Sequence, residues 1–165
     1  MLSYRHLRLL CVSLLLTLTY IFSEAQTSVG ALCFAGEGET TRYSASLSFK
    51  RGEFSGVLLT KMEGDTILGS LVNEFGIKAF DFTCQVAKDG KHPKVKLLNV
   101  LGMIDKWYIR RVISADLSWL FCHSESITEG KRTLSIEADT VRLDNDKYHI
   151  SYSFTPLTTE DATVQ

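Results

Sequence analysis

The chain has 165 residues, of which 45% are hydrophobic and 22% charged, and its formal net charge is −1. This length accommodates one domain with little left for a second, and the composition is that of a globular protein rather than a disordered one. Because the charge is nearly balanced and no basic stripe is present, we exclude nucleic-acid binding.

The first 25 residues have the pattern of a secretory signal peptide. Arg5 and Arg8 precede an uncharged apolar run over residues 9–22, and Ser23 and Ala25 place small residues just before a cleavage site. The run is short for a membrane span, which needs about 20 residues. We therefore expect an exported protein that is periplasmic or associated with the outer membrane, with a retained membrane anchor as the alternative.

Cleavage after residue 25 would leave one β-rich domain over residues 26–157 and a flexible tail over residues 158–165. Three cysteines would remain, Cys33, Cys84 and Cys122. Because the number is odd, at least one has no partner within the chain. Two interpretations stay open: two of the cysteines form one disulfide in an oxidising compartment, or all three are small buried apolar side chains. A lipidated Cys33 is a further alternative, although Leu32 occupies the position before it that normally holds a small residue.

Apolar and polar residues alternate with a period of two over most of the domain, which predicts half-buried antiparallel strands. Glycine-containing and acidic turns separate them. We expect five strands at residues 43–50, 54–61, 66–73, 77–86 and 94–100. Two or three more follow a predicted helix, two of them at 133–138 and 148–155.

The period changes over residues 105–122, where apolar residues recur every three or four positions in two adjacent rows. One row runs from Ile104 through Tyr108 to Trp119, and the other from Ile109 to Leu120. The spacing predicts one long apolar helix, with Asp105 as a plausible N-cap. A sheet with one apolar face needs a cover, and this helix is the obvious one. We therefore predict an α+β fold: a curved, mainly antiparallel sheet of about 7–9 strands, an incomplete barrel, packed around this helix.

No residue pattern of an enzyme or a metal site is recognisable. The three histidines of the predicted domain lack metal-ligand spacing, and no nucleophile or phosphate-binding motif occurs. Asp81 and Asp116 each lie between large apolar residues, so we expect them to be partly buried and paired with Arg110 or Arg111. A catalytic carboxylate is the alternative. We predict a protein that is not an enzyme and has no cofactor.

Aromatic side chains of the helix and the strands suggest a ligand-binding cavity. A curved sheet that does not close over its helix leaves room for an acyl chain. A plain filled core is the alternative. The residues that we expect to line such a cavity are Phe54, Phe80, Phe82, Tyr108, Val112, Trp119 and Tyr152.

Three segments carry a resemblance to known proteins: FSGVLLTK at 54–61, NEFGIKAFDF at 73–82, and ADLSWL at 115–120. They resemble uncharacterised exported proteins of Bacteroidetes. The arrangement of elements is also similar to the fold of the periplasmic lipoprotein carrier and the outer-membrane lipoprotein receptor, an incomplete barrel closed by helices around an apolar cavity.

The resemblance implies a non-enzymatic cell-envelope protein, expected to be a monomer, that binds an acyl chain, a lipid or a lipidated partner in an apolar cavity. The alternative is a structural or interaction module of the envelope, with a filled core and a protein partner. Fold alone does not decide between the two.

Overall fold

The computed structural model describes residues 27–36, 38–50, 52–86 and 92–157. The predicted signal peptide lies outside these residues, as does the predicted C-terminal tail, and both stay predictions. No helix in the described part of the chain is long and apolar enough to span a membrane. The elements are β1 (Thr27–Val29), β2 (Leu32–Phe34), β3 (Thr40–Phe49), β4 (Gly52–Glu63), β5 (Thr66–Val72), β6 (Lys78–Gln85), β7 (Lys94–Leu98), α1 (Trp107–Leu120), β8 (Ile127–Glu129), β9 (Arg132–Glu137), β10 (Thr140–Asn145) and β11 (Ile150–Pro156).

Nine strands form one antiparallel sheet in the order β7-β6-β5-β4-β3-β11-β10-β9-β8. Strands β3 to β7 form one meander and β8 to β11 a second, because short turns pair each strand with the next. The β3–β11 ladder joins the two meanders, with Tyr43 opposite Pro156 and Phe49 opposite Ile150. The sheet confirms the coarse prediction of a mainly antiparallel α+β fold.

One face of this sheet forms the core, and the other faces solvent. In β3, for example, Tyr43, Ala45 and Leu47 are buried, whereas the serines between them are on the opposite face. The buried face continues across the sheet through Phe82 of β6 and Leu143 of β10. The alternation of apolar and polar residues in the sequence therefore indicates which side chains lie on the face towards the helix.

The helix is shorter than the predicted span of 105–122 and is not apolar on all sides. It has 14 residues, and its N-cap is Lys106 without a side-chain cap hydrogen bond, so the prediction that Asp105 caps it is wrong. One of the two predicted apolar rows is buried, with Ile113 and Leu117 in the core. In the other row Tyr108 is exposed.

Helix α1 contacts both edge strands of the sheet. On one side the Ser118 hydroxyl donates to the carbonyl of Pro93, just before β7, at 2.5 Å. On the other side Trp119 Nε1 donates to Glu129 in β8, at 3.3 Å. Nine flat strands would separate these edges by about 38 Å, whereas a helix is about 10–12 Å wide. The sheet must therefore curl around the helix, although β7 and β8 do not pair with each other.

The β1–β2 hairpin packs against the C-terminal end of α1. The amide of Ala31 donates to the carbonyl of Leu120 at 3.2 Å, and the rings of Phe34 and Phe121 lie 6.4 Å apart. Gly30 has a φ of 62°, and a Cβ there would lie 2.4 Å from the Leu120 carbonyl oxygen. Only glycine therefore permits this approach of the hairpin to the helix.

The cysteines of the described residues are free thiols in different surroundings. Cys33 and Cys122 are exposed, whereas Cys84 is buried in β6. Burial raises the pKa of the Cys84 thiol to about 12, because the thiolate would lose its hydration. Only Cys84 thus fits the expectation of a small buried apolar side chain.

Candidate functional site: a groove along the helix

A buried carboxylate joins α1 to three strands. Asp116 is completely buried, and its Oδ1 accepts hydrogen bonds from Arg132 Nε of β9 and Asn145 Nδ2 of β10, both at 2.7 Å. Its Oδ2 accepts a hydrogen bond from the hydroxyl of Tyr152 in β11 at 2.9 Å. We call these four residues the Asp116 cluster. A buried charge is tolerated only when it is paired and hydrogen-bonded, and here all three partners are donors.

The electrostatics of the cluster keep Tyr152 protonated. Burial and then the negative charge of Asp116 raise the pKa of the Tyr152 hydroxyl well above its usual value of 10. The tyrosine therefore acts as a hydrogen-bond donor and not as a base at physiological pH. Arg132 supplies the compensating positive charge, and its side chain is 30% exposed. The cluster thus extends from the core to the surface.

Two open depressions lie above this cluster, on the exposed side of α1. The first has a volume of about 620 Å³ and the second about 420 Å³. Ala115, Arg132 and Tyr148 line both, so the two are parts of one groove, which we call the α1 groove. The first part is also lined by His92, Ser118, Trp119, Glu129, Gly130, Lys131, Asn145 and Lys147, and the second by Trp107, Tyr108, Arg111 and Val112.

The lining of the α1 groove is aromatic and cationic. Its charged lining residues are Arg111, Lys131 and Lys147 against one carboxylate, Glu129, together with Arg132, whose charge is balanced by Asp116. Aromatic walls beside several cations favour a ligand that carries an anionic group and some apolar surface.

Asn145 and Arg132 in the groove floor both donate hydrogen bonds to Asp116. The Nζ of Lys147 lies 5.1 Å from the centre of the Tyr148 ring.

The seven predicted cavity residues do not surround one common space. Phe80, Phe82 and Tyr152 border a small internal cavity of about 10 Å³. Tyr108, Val112 and Trp119 line the outer groove instead. The seventh, Phe54, is half-buried in β4 and borders neither.

The predicted partners of the two carboxylates are wrong. Asp116 pairs with Arg132, and Arg110 instead donates to Asp105 and to the carbonyl of Leu97.

Asp81 is also not paired with the helix arginines. It accepts hydrogen bonds from Lys78 at 2.9 Å and from Asn99 at 2.7 Å. Its partial burial raises its pKa, but hydrogen bonds from Asn99, Lys78 and Ser70 outweigh that effect, so the pKa is lowered overall. Asp81 therefore forms an ion pair with Lys78 at the surface of the first meander.

The histidines contribute no metal site within the described residues, since no group of three or more potential ligands occurs there. His123 follows the helix, where its Nδ1 lies 2.9 Å from the carbonyl of Trp119. Its ring packs against the Trp119 ring with centroids 4.4 Å apart. His92 borders the α1 groove, and His149 occupies a turn with a φ of 53°.

Sequence reasoning missed the groove because its residues come from four separate parts of the chain: His92, the helix, residues 129–132 and residues 145–148. Tyr108 and Ala115 belong to an apolar row that suggests burial, yet both are exposed. Asn145 lies in a segment, 144–146, that the pattern predicts to be a turn, and Arg132 lies between a predicted turn at 128–131 and the predicted strand at 133–138. Nothing in the local sequence indicates that both reach the same carboxylate.

Comparison with known protein families, with curated proteins and with solved structures gives no match.

Proposed function

We propose that this chain is an exported, non-enzymatic protein of the cell envelope that holds a partner bearing an anionic group in the α1 groove. The observation that carries this proposal is the contrast between the groove and the interior. The groove is open, cationic and aromatic over a hydrogen-bonded floor, whereas the space between the sheet and the helix is filled. The filled core favours an interaction module over a container for a lipid.

The volume of the internal cavity is the main argument against an acyl-chain site in this conformation. About 10 Å³ holds at most one water molecule, and an acyl chain is many times larger. The chemistry of the groove supports a role without catalysis. Asp116 already accepts three hydrogen bonds and Tyr152 keeps its proton, so neither is available as a general base.

Acyl-chain binding remains a second candidate because of how α1 is placed. The helix lies between the two edges of a curled sheet, an arrangement similar to an incomplete barrel closed by a helix, as in lipoprotein carriers. It is attached to the β7 side by two hydrogen bonds to backbone carbonyls, those of Leu97 and Pro93. An apolar cavity would open only if the helix moved away from that side.

A substitution that fills the groove tests the first candidate. Ala115 is exposed on α1 and lines both parts of the groove, so Ala115→Trp should block it without disturbing the core. Lys96→Trp is the matched control, because Lys96 is exposed on β7 and does not line the groove. Cross-linking in envelope extract, followed by mass spectrometry, should recover a partner with wild type and Lys96→Trp but not with Ala115→Trp. Equal recovery with all three proteins would reject the groove as the binding site.

Lipid extraction and mass spectrometry of the purified protein separate the two candidates. We expect no stoichiometric lipid. Recovery of one acyl chain per protein, unaffected by Ala115→Trp, would instead support binding in the interior.

A further inference from the structure

Exposed large apolar side chains are concentrated at one end of the sheet. Seven such side chains are found among the described residues; six lie in turns, in loops or in the first turn of α1, and the seventh, Ile127, lies within strand β8. The other six form what we call the apolar rim: Phe75 (78% exposed), Met103 (76%), Trp107 (75%), Tyr108 (54%), Ile77 (48%) and Tyr148 (46%). Single exposed apolar residues are ordinary, but six at one end of a small domain mark an interaction surface.

Strand register places the turns and loops that carry these residues at the same end of the sheet. Phe75 and Ile77 are in the β5–β6 turn, and the loop after β7 reaches the same end because the Leu101 amide donates to the carbonyl of Ala79 at the start of β6. Met103 lies in that loop. Helix α1 begins beside it, since Arg110 donates to Leu97 near the end of β7.

The β10–β11 turn lies at this end too. Its Tyr148 lines the second part of the groove together with Trp107 and Tyr108. All six side chains of the rim therefore belong to turns or to the first turn of the helix, at one end of the sheet.

The apolar side chains of the β5–β6 turn have no role in forming that turn. The Asn73 side chain accepts hydrogen bonds from the amides of Phe75 and Ile77, and Gly76 takes the positive φ of 75°. Asn73 and Gly76 are thus the residues that specify the turn. The aromatic ring of Phe75 is exposed to solvent, and this exposure of apolar surface is unfavourable unless a partner covers the ring.

The residue types and charges of the rim fit a lipid surface. Trp and Tyr are enriched at the headgroup level of membranes, where an apolar ring and a polar group are both satisfied. Lys106 immediately precedes α1 and Arg111 lies in its second turn, while Lys147 immediately precedes Tyr148. The carboxylates in the same turns are Glu74 and Asp146, so the three cations exceed them by one. Asp105 and Asp81 are neutralised by Arg110 and Lys78. The excess of cations complements anionic lipid headgroups.

We propose that the apolar rim docks this protein on an anionic lipid surface, with Phe75, Met103 and Trp107 inserted at headgroup level. The α1 groove opens beside the rim, so a partner in the groove would be held at the membrane surface. The docking itself does not rest on that partner, because Phe75 and Met103 lie outside the groove.

Vesicle sedimentation tests the proposal. Wild type should bind vesicles of phosphatidylethanolamine and phosphatidylglycerol and bind phosphatidylcholine vesicles weakly. Phe75→Glu and Met103→Glu should each lower the partition coefficient about tenfold, because each loses an inserted apolar side chain. Ile127→Glu is the matched control and should bind as wild type does. All three sites are exposed, so circular dichroism should show unchanged folding.

Fluorescence gives a second and independent measurement. The chain has two tryptophans, of which Trp107 is 75% exposed and Trp119 is 7% exposed. Brominated lipids should quench wild type, and the quenching should vanish in Trp107→Phe. Absence of vesicle binding, or binding that Phe75→Glu and Met103→Glu leave unchanged, would overturn the proposal. So would a dimer in solution that both substitutions dissociate, since a second copy would then cover the rim.

Discussion

The two meanders of the sheet are attached to the same helix by different chemistry. On the β7 side, Arg110 and Ser118 donate to the backbone carbonyls of Leu97 and Pro93. On the β9 side, the buried carboxylate of Asp116 accepts from three side chains. A backbone carbonyl is present whatever the residue, whereas the Asp116 cluster needs four particular side chains. We therefore expect the hydrogen bonds on the β9 side to contribute more to stability than those on the β7 side.

The largest expected effect is that of Asp116→Ala. It leaves the partly exposed Arg132 without its counter-charge and the buried donors Asn145 and Tyr152 without an acceptor, so the free energy of unfolding should fall by about 3–5 kcal/mol. Urea denaturation followed by circular dichroism measures this. Asp105→Ala is the matched control, because Asp105 pairs with Arg110 at the surface, and it should cost less than about 1 kcal/mol. Similar losses of unfolding free energy in the two variants would contradict the proposed difference between the β9 side and the β7 side.

Tyr152→Phe should have the next largest effect. It removes one of the three donors and leaves the ring in place, so we expect a loss of about 1.5–2 kcal/mol, the usual value for a hydrogen bond to a charged group. The same urea titration measures it. A loss as large as that of Asp116→Ala would mean that the ring packing or the tyrosine, and not the carboxylate, organises the cluster.

Alkaline pH should reduce the contribution of Tyr152. Its pKa in the folded protein is raised well above 10, so its stabilisation is complete below pH 10 and is lost as the pH rises towards the folded value. Wild type should therefore lose about 1.4 kcal/mol per pH unit above pH 10 relative to Tyr152→Phe. Unfolding titrations of both proteins between pH 8 and pH 11 measure the difference, in which the contributions of Tyr43 and Cys84 cancel. A constant difference would contradict the raised pKa.

Ser118→Ala on the β7 side should have the smallest effect. It removes the hydrogen bond to Pro93 but introduces the residue with the highest helix propensity, so the net loss should stay below about 1 kcal/mol. Native-state hydrogen exchange adds a sharper measurement. Ser118→Ala should accelerate exchange in α1 and β7 without affecting β10. Equal acceleration on both sides would show that the two sides open together.

Much of the sheet was predictable because its strands alternate cleanly. The predicted strands at 54–61 and 94–100 correspond to β4 and β7 within a few residues. The sequence did not predict the position of strand β10, because the third of its inward-facing residues is polar. That residue is Asn145, which is buried because it donates to Asp116, and a polar residue at a core position hides the alternation.

The site was much less predictable than the fold. Helix geometry alone argues against Arg110 and Arg111 as partners of Asp116, because residues five and six positions apart do not lie on the same side of a helix. The observed partners lie 16, 29 and 36 residues further along the chain. They meet Asp116 only because the second meander folds back beside β3, and no local pattern reports that arrangement.

The ladder between β3 and β11 has a consequence for how the protein is made. Its partners lie about 100 residues apart in the chain, whereas the other ladders join neighbouring strands. During synthesis the first meander can form early, but its β3 edge stays unpaired until nearly the last residues of the domain have emerged. An unpaired edge invites pairing with other chains. The β3 edge is therefore open to pairing with other chains until β11 joins it, and any protecting chaperone would have to cover β3 until then.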